Sequence, residues 1–198
     1  MNSTTDIARL KITMDDVEPV VMRRLEVTLG LSLDRLHHVL QIAIGWNNSH
    51  LWEFRAGDIG WGVSDPNWPD GPLDARKATL LGVLEDTGVK TLRYLYDFGD
   101  CWEHVIKVEH IDAPEPDNIY PRLLAAKGRC PPEDIGGPWG YAEFLEAIAD
   151  PKHERHEELT EWYPGNFDPT LVETDRIEKE LSKLAKHWSR KPTKRKKK

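Results

Sequence analysis

The stretch "LRYLYDFGDCWEHVI", Leu92 to Ile106, restricts the fold more than any other part of the chain. Side chains of a strand alternate between faces, so a hairpin pairing Tyr96 with Trp102, Tyr94 with His104 and Leu92 with Ile106 gathers the large apolar groups on one side. A slip of one residue would mix the faces along the whole ladder, which favours this register. Asp97 to Cys101 then form the connecting loop, where Gly99 is expected to supply a positive φ. The same register collects Asp97, Asp100, Glu103 and His104 near the tip. That density of ionisable groups either satisfies turn backbone or builds a site.

Other periodicities fill in the architecture. Ile7 to Met14 alternates Leu10, Ile12 and Met14 against Arg9, Lys11 and Thr13, and with Val20 to Val27 across "DDVEP" it predicts a second hairpin. "SLDRLHHVLQIAIGW" has apolar residues at helical spacing, Ser32 placed as N-cap and Gly45 just past the end. Adjacent His37 and His38 point in different directions on that helix and cannot share one ligand. "HLWEFRAG" reads as a short strand, residues 58–77 as an irregular Gly-, Pro- and Asp-rich loop, and "ATLLGVLEDTG" as a helix capped by Thr79 and ended by Gly88.

Beyond Ile111 the chain is proline-rich, with Tyr120 to Ala125 expected as an edge strand. "YAEFLEAIAD", "KHERHEELTEW" and "TDRIEKELSKLAKHW" predict three helices, the last capped by Thr174 or Asp175 with Glu178 in position for a capping box. No internal repeat is present. Strands with one helix first and helices later give an α+β fold: an antiparallel β-sheet with an early packed helix and a helical C-terminal portion.

A length of 198 residues suits a single domain, expected over 1–189, followed by a basic disordered tail over 190–198. The net charge of −7 is unevenly spread, because the tail "RKPTKRKKK" holds seven of the 27 basic residues and no acid. The body therefore has 20 basic against 34 acidic residues. An acidic body disfavours duplex DNA, so nucleic acid is expected only at the tail, through Arg190, Lys191, Lys194, Arg195, Lys196, Lys197 and Lys198. No apolar run approaches a membrane span and the start lacks a signal-peptide core, so no membrane partner and a cytoplasmic location are expected. Cys101 and Cys130 are expected as thiols.

A second concentrated motif is "CPPEDIGGPWGY", Cys130 to Tyr141. Its prolines fix φ and its glycines permit close approach, so Glu133 and Asp134 are presented on a stiff loop. Asp134 has an alternative duty, capping a helix that starts near Gly140. Trp52, Trp61, Trp68, Trp102, Trp139 and Trp162 lie near turns or sheet faces, where core packing and loop anchoring are the main expectation and a ligand groove the alternative. No GxSxG, GxxxxGK[ST] or GxGxxG occurs, which leaves a hydrolase elbow, a P-loop and a dinucleotide fingerprint without support.

"GWNNSHLWEF", "YLYDFGDCWEH", "YPRLLAAKGRCPPEDIGGPWGY" and the later "NFDP" together resemble the plasmid pRiA4b Orf-3-like family, over nearly all of residues 5–182. The resemblance implies an α+β domain found on plasmids, in insertion elements and in bacterial and archaeal genomes. Two positions depart from the family pattern. Met22 stands in "VMRR" where relatives commonly have tryptophan, and Ile135 stands where many carry a second cysteine, which argues against a dithiolate metal site.

The motif residues implied by the resemblance are His50, Asp97, Asp100, His104, Cys130, Glu133 and Asp134. Carboxylates with an imidazole suit a divalent metal, although the spacing matches no established ligand signature. His104 has a second reading as a hydrogen-bonding partner of Tyr94 on a half-buried face, and a thiolate pair of Cys130 with His104 requires the fold to bring them together. The leading functional expectation is a non-enzymatic accessory module, linked to mobile elements, that binds a protein or small-molecule ligand. A metal-dependent hydrolase or nuclease using the Asp, His and Glu cluster is the rival, and a nucleic-acid-binding accessory acting through the tail is a third reading.

Overall fold

A computed structural model describes residues 2–189. The hairpin that anchors the sequence argument forms in the expected register: β6 (Thr91–Tyr96) pairs β7 (Trp102–Asp112) with Tyr96 opposite Trp102, Tyr94 opposite His104 and Leu92 opposite Ile106. β1 (Ile7–Met14) pairs both β2 (Met22–Thr28) and β7, while β8 (Arg122–Lys127) adds to β2 as an edge strand. On the other side β3 (Trp52–Ala56) pairs β6. The stretch 58–77 is not wholly irregular, since it holds β4 (Ile59–Gly62) and the two-residue β5 (Leu73–Asp74). The result is one eight-stranded sheet, β5-β4-β3-β6-β7-β1-β2-β8, antiparallel except where β4 meets β5.

Alternation gives the sheet a dry face and a wet one. Leu10, Ile12, Leu25, Val27, Phe54, Tyr94, Trp102 and Ile106 are buried, and α1 (Leu33–Ile44) lies on that side with α5 (Thr174–Ser189) packed against α1 and β8. α2 (Leu80–Thr87) has the expected caps: the Thr79 side chain accepts from the Gly82 N–H, and Gly88 is left-handed at the end. α3 (Gly137–Ala149) and α4 (His156–Trp162) pack together. The wet face is laced by ion pairs, Arg24 with Glu109, Arg9 and Arg122 with Glu26, and Arg93 with Asp15 and Glu103. Among the described residues no helix is long and apolar enough to cross a membrane. The basic tail lies outside the described residues.

One charged residue sits on the dry face. Arg23 of β2 is 1% exposed, and its guanidinium donates to the carbonyls of Ala43 (2.5 Å) and Ile44 (3.2 Å) at the end of α1, of Lys127 (2.8 Å) and Gly128 (3.0 Å) at the end of β8, and of Met22 (2.8 Å). Burial lowers its pKa to about 10, so it remains cationic at neutral pH. Replacing it by an apolar side chain of similar length strands several buried carbonyls at once. Arg23→Met is therefore expected to lower the unfolding free energy by about 3 kcal/mol in urea titrations, and a loss below about 1 kcal/mol would contradict this account.

Two histidines are also buried on the dry face. His37 of α1 stacks on Trp52 at 4.1 Å between ring centroids, and His104 of β7 is fully buried with Nδ1 3.1 Å from the Tyr94 carbonyl. Burial depresses both imidazoles from 6.5 to about 4. Between those values the unfolded chain takes up protons that the folded imidazoles refuse, so stability is intact above about pH 6.5 and falls as the pH is lowered toward 4. The expected loss is about 3 kcal/mol per histidine across that window. Urea unfolding near neutrality and at about pH 4.5 measures it, and His104→Phe should remove roughly half of the acid sensitivity.

Candidate functional site

The loop that follows α1, residues 45–51, is held by side chains rather than by backbone pairing. Gly45 ends the helix in the left-handed conformation, and the three N–H groups after Trp46 each find a different acceptor. Asn47 N–H donates to Glu133 Oε1 (2.6 Å), Asn48 N–H to Gln41 Oε1 (2.7 Å) and Ser49 N–H to Tyr96 Oη (3.0 Å). The Asn48 side chain also bonds to His37 Nε2 (2.5 Å), while His37 Nδ1 and Gln41 Nε2 both bond to Tyr94 Oη (2.8 and 2.9 Å). Each link comes from a buried or half-buried group, so the loop is fixed to the dry face and the next residue, His50, emerges at a defined place.

The hairpin tip meets it there. Asp97 has φ of 59°, its N–H donates to the Leu51 carbonyl (2.9 Å), and its Oδ1 accepts from Gly99 N–H (2.9 Å). The left-handed positions of the tip are thus Asp97 and Cys101, and Gly99 does not take the positive φ expected of it. An aspartate tolerates this region because its side chain bonds to nearby backbone.

The proline-stiffened loop completes the arrangement. Asp100 Oδ2 accepts from Gly136 N–H (3.1 Å), and Gly137, with φ of 71°, packs its Cα so closely on the Asp100 carbonyl that a Cβ there would collide. These contacts fasten the hairpin tip to the second loop. α3 starts at Gly137 with Pro138 in its first turn and has no side-chain N-cap, so Asp134 does not cap it. Asp134, itself left-handed at φ of 58°, turns toward His50 instead.

The imidazole of His50 lies among three carboxylates. Nδ1 is 3.4 Å from Asp97 Oδ2, and Nε2 is 3.2 Å from Asp134 Oδ1 and 3.6 Å from Glu133 Oε2. One donor atom each from His50, Asp97 and Asp134 lie within 4.8 Å of one another. Glu133 is anchored through Oε1 by Asn47 and by the Tyr96 hydroxyl (3.1 Å), leaving Oε2 buried with no hydrogen-bond partner among the described residues. His50 Nε2 is likewise buried and unbonded, because its close approaches lack hydrogen-bond alignment. Ligands at about 2.1 Å from one ion lie roughly 3.0 to 3.4 Å apart, and the imidazole-to-carboxylate separations here run from 3.2 to 3.6 Å. Among the described residues this is the one set of ion-pair contacts whose cation is a histidine and not Arg or Lys.

Four of the seven motif residues, His50, Asp97, Glu133 and Asp134, therefore converge, and Asp100 fastens their loops. His104 and Cys130 lie elsewhere. His104 faces the core between Trp102 and Ile106, as strand alternation demands, and bonds to the Tyr94 backbone rather than to its phenol. Cys130 packs under the end of α1, where a Cβ on Gly45 would come within 3.1 Å of its own, and burial raises its thiol pKa well above the ordinary value. No thiolate pair forms between them. Sequence reasoning missed Tyr96, Gln41 and His37 as supports. His37 and Gln41 interrupt the apolar stripe of α1 at i and i+4, and that pairing was the available signal.

The family model for plasmid pRiA4b ORF-3-like protein matches residues 6–176. The chain is 53% identical over 186 residues to the uncharacterized protein y4hQ of Sinorhizobium fredii, across 93% of this chain and 95% of that protein. It also resembles the crystal structure of the protein of unknown function MM3350 from Methanosarcina mazei Go1, with a TM-score of 0.78, 30% identity, and coverage of 87% of this chain and 98% of that one.

Gly137→Ala should separate the two loops. It combines left-handed backbone with a backbone collision, so it is expected to cost about 2 kcal/mol or more, whereas Gly57→Ala, with φ of 59° and open space, should cost only about 1. Urea unfolding of both variants checks this, and equal losses would refute the packing argument.

Proposed function

The chain belongs to the plasmid pRiA4b ORF-3-like family, and from that membership together with the site geometry we propose that it is a ligand-binding accessory module whose ligand is a divalent cation. The observation that carries this reading is the convergence of His50, Asp97, Glu133 and Asp134 with two buried, unbonded donor atoms among them. One imidazole with carboxylates suits zinc or manganese better than an all-oxygen calcium site. Asp97, beside Nδ1, would orient the ring as carboxylates do for metal-bound histidines, and Nε2, Glu133 and Asp134 would hold the ion. Lysine and arginine are absent from the ion pairs of these acids among the described residues, so a cation is also what the local charge calls for. The association with mobile elements is part of the same proposal and rests on the family.

A second reading is favoured by the exposure of Asp134, whose side chain is 72% exposed. It leaves an open side at which a bound ion would activate water, as in a hydrolase or nuclease.

Chelator-stripped protein titrated with manganese or zinc in a calorimeter is expected to bind one ion in the micromolar range or tighter, and Asp97→Asn or His50→Gln should weaken binding about 10- to 100-fold. Absence of binding at about 1 mM ion would remove the cation reading. Turnover of nucleic acid or peptide by the loaded protein, lost in Asp97→Asn, would replace the accessory role with the hydrolytic one.

A further inference from the structure

A concavity adjoins the site. A cavity of about 380 Å³ opens between the end of α1, the Cys130–Glu133 turn and the first turn of α5, within the size range of small-molecule pockets. Ile42, Pro131, Phe167, Val172 and Ile177 give it apolar walls. Its polar lining is unevenly satisfied. Glu173 pairs with Arg176 (3.0 Å) and Glu180 with Lys183 (2.6 Å), while Glu133 is bonded through Oε1 and turns Oε2 toward His50. Arg23 is fully engaged by carbonyls.

Two donors are left over. Arg129 lies over the Phe167 ring (4.7 Å to the centroid) and donates to the neutral Tyr163 hydroxyl (3.1 Å), but no carboxylate lies within ion-pair distance of it among the described residues. Asp168, the acid near enough to feel its charge, is committed to Thr170 (2.8 and 2.7 Å). Trp46 is 6% exposed, and its indole N–H is buried without an acceptor. A guanidinium without a carboxylate and an N–H without an acceptor both call for a ligand that brings lone pairs and negative charge.

We infer that this cavity binds a small organic anion, a carboxylate carried on an apolar body, with the carboxylate at Arg129 and the body against Phe167, Val172 and Ile177. The site is distinct from the cation cluster and shares with it only Glu133 and the adjoining loop.

The test uses the full chain in EDTA, which removes the cation site from the measurement, so failure here leaves the cation reading standing and the reverse also holds. Binding of 3-phenylpropionate and of its neutral amide is followed by ligand-observed NMR and calorimetry. The acid is expected to bind at least about tenfold more tightly than the amide, with Arg129→Met erasing that preference and Val172→Trp, which fills the cavity, abolishing both. Equal affinity for acid and amide, no binding of either up to about 10 mM, or wild-type affinity in Val172→Trp would overturn the proposal. Should Arg129→Met fail to fold, the acid-to-amide ratio of the unmodified protein decides alone.

Discussion

The buried guanidinium of Arg23 governs where the loops of this molecule can go. It joins the end of α1 to the end of β8, because its donors reach carbonyls from both elements while no carboxylate lies within ion-pair distance of it among the described residues. A buried cation without a counter-charge is costly unless its hydrogen bonds are met. Here the negative end of the α1 dipole and the free carbonyls past β8 meet them, and the planar five-donor fork of arginine suits several acceptors where a lysine ammonium would not. Both loops of the candidate site begin at these clamped points. Residues 45–51 leave from Ile44, and the Cys130–Gly137 segment leaves from Gly128.

From that clamp the order propagates by side-chain to backbone bonds. Glu133, Gln41 and Tyr96 each take one N–H of the loop after Trp46, and Tyr96 also reaches Glu133. Tyr96 belongs to the core hairpin, with its ring against Trp46 at 5.2 Å, so the phenol carries the rigidity of the sheet to the rim of the site. A carboxylate fixed through one oxygen keeps the other available, and Glu133 has that form. Preorganisation of this kind reduces the ordering cost of binding.

Much of the fold was legible because it follows local periodicity. The β6–β7 register came from alternation alone, and Thr79, Gly88 and Gly45 marked helix ends by their chemistry. Residues 58–77 were harder, since a four-residue strand with two glycines and a two-residue strand leave too short a pattern to read. Gly99 misled because the tip's strained positions went to Asp97 and Cys101, the former supported by its own side chain. The placement of His104 was in fact implied by the register, for residues 102, 104 and 106 must share the face of Tyr94. What the chain could not reveal was contact at a distance. Asn47 and Glu133 are 86 residues apart, and only their fold makes them neighbours.

The distribution of unpaired charge then separates the surfaces of the molecule. On the wet face of the sheet, arginines of β1, β2, β6 and β8 each have a carboxylate partner, while Lys11 and Lys107 face each other across β1 and β7. At the loop end, three carboxylates share one imidazole, and nearby Arg129 has no carboxylate within ion-pair distance among the described residues. Opposite deficits at adjoining places do not cancel, because Glu133 stands between them with one oxygen bonded to the loop and the other near His50. An ion of one sign on one side and an ion of the other sign on the far side is the arrangement that would satisfy both.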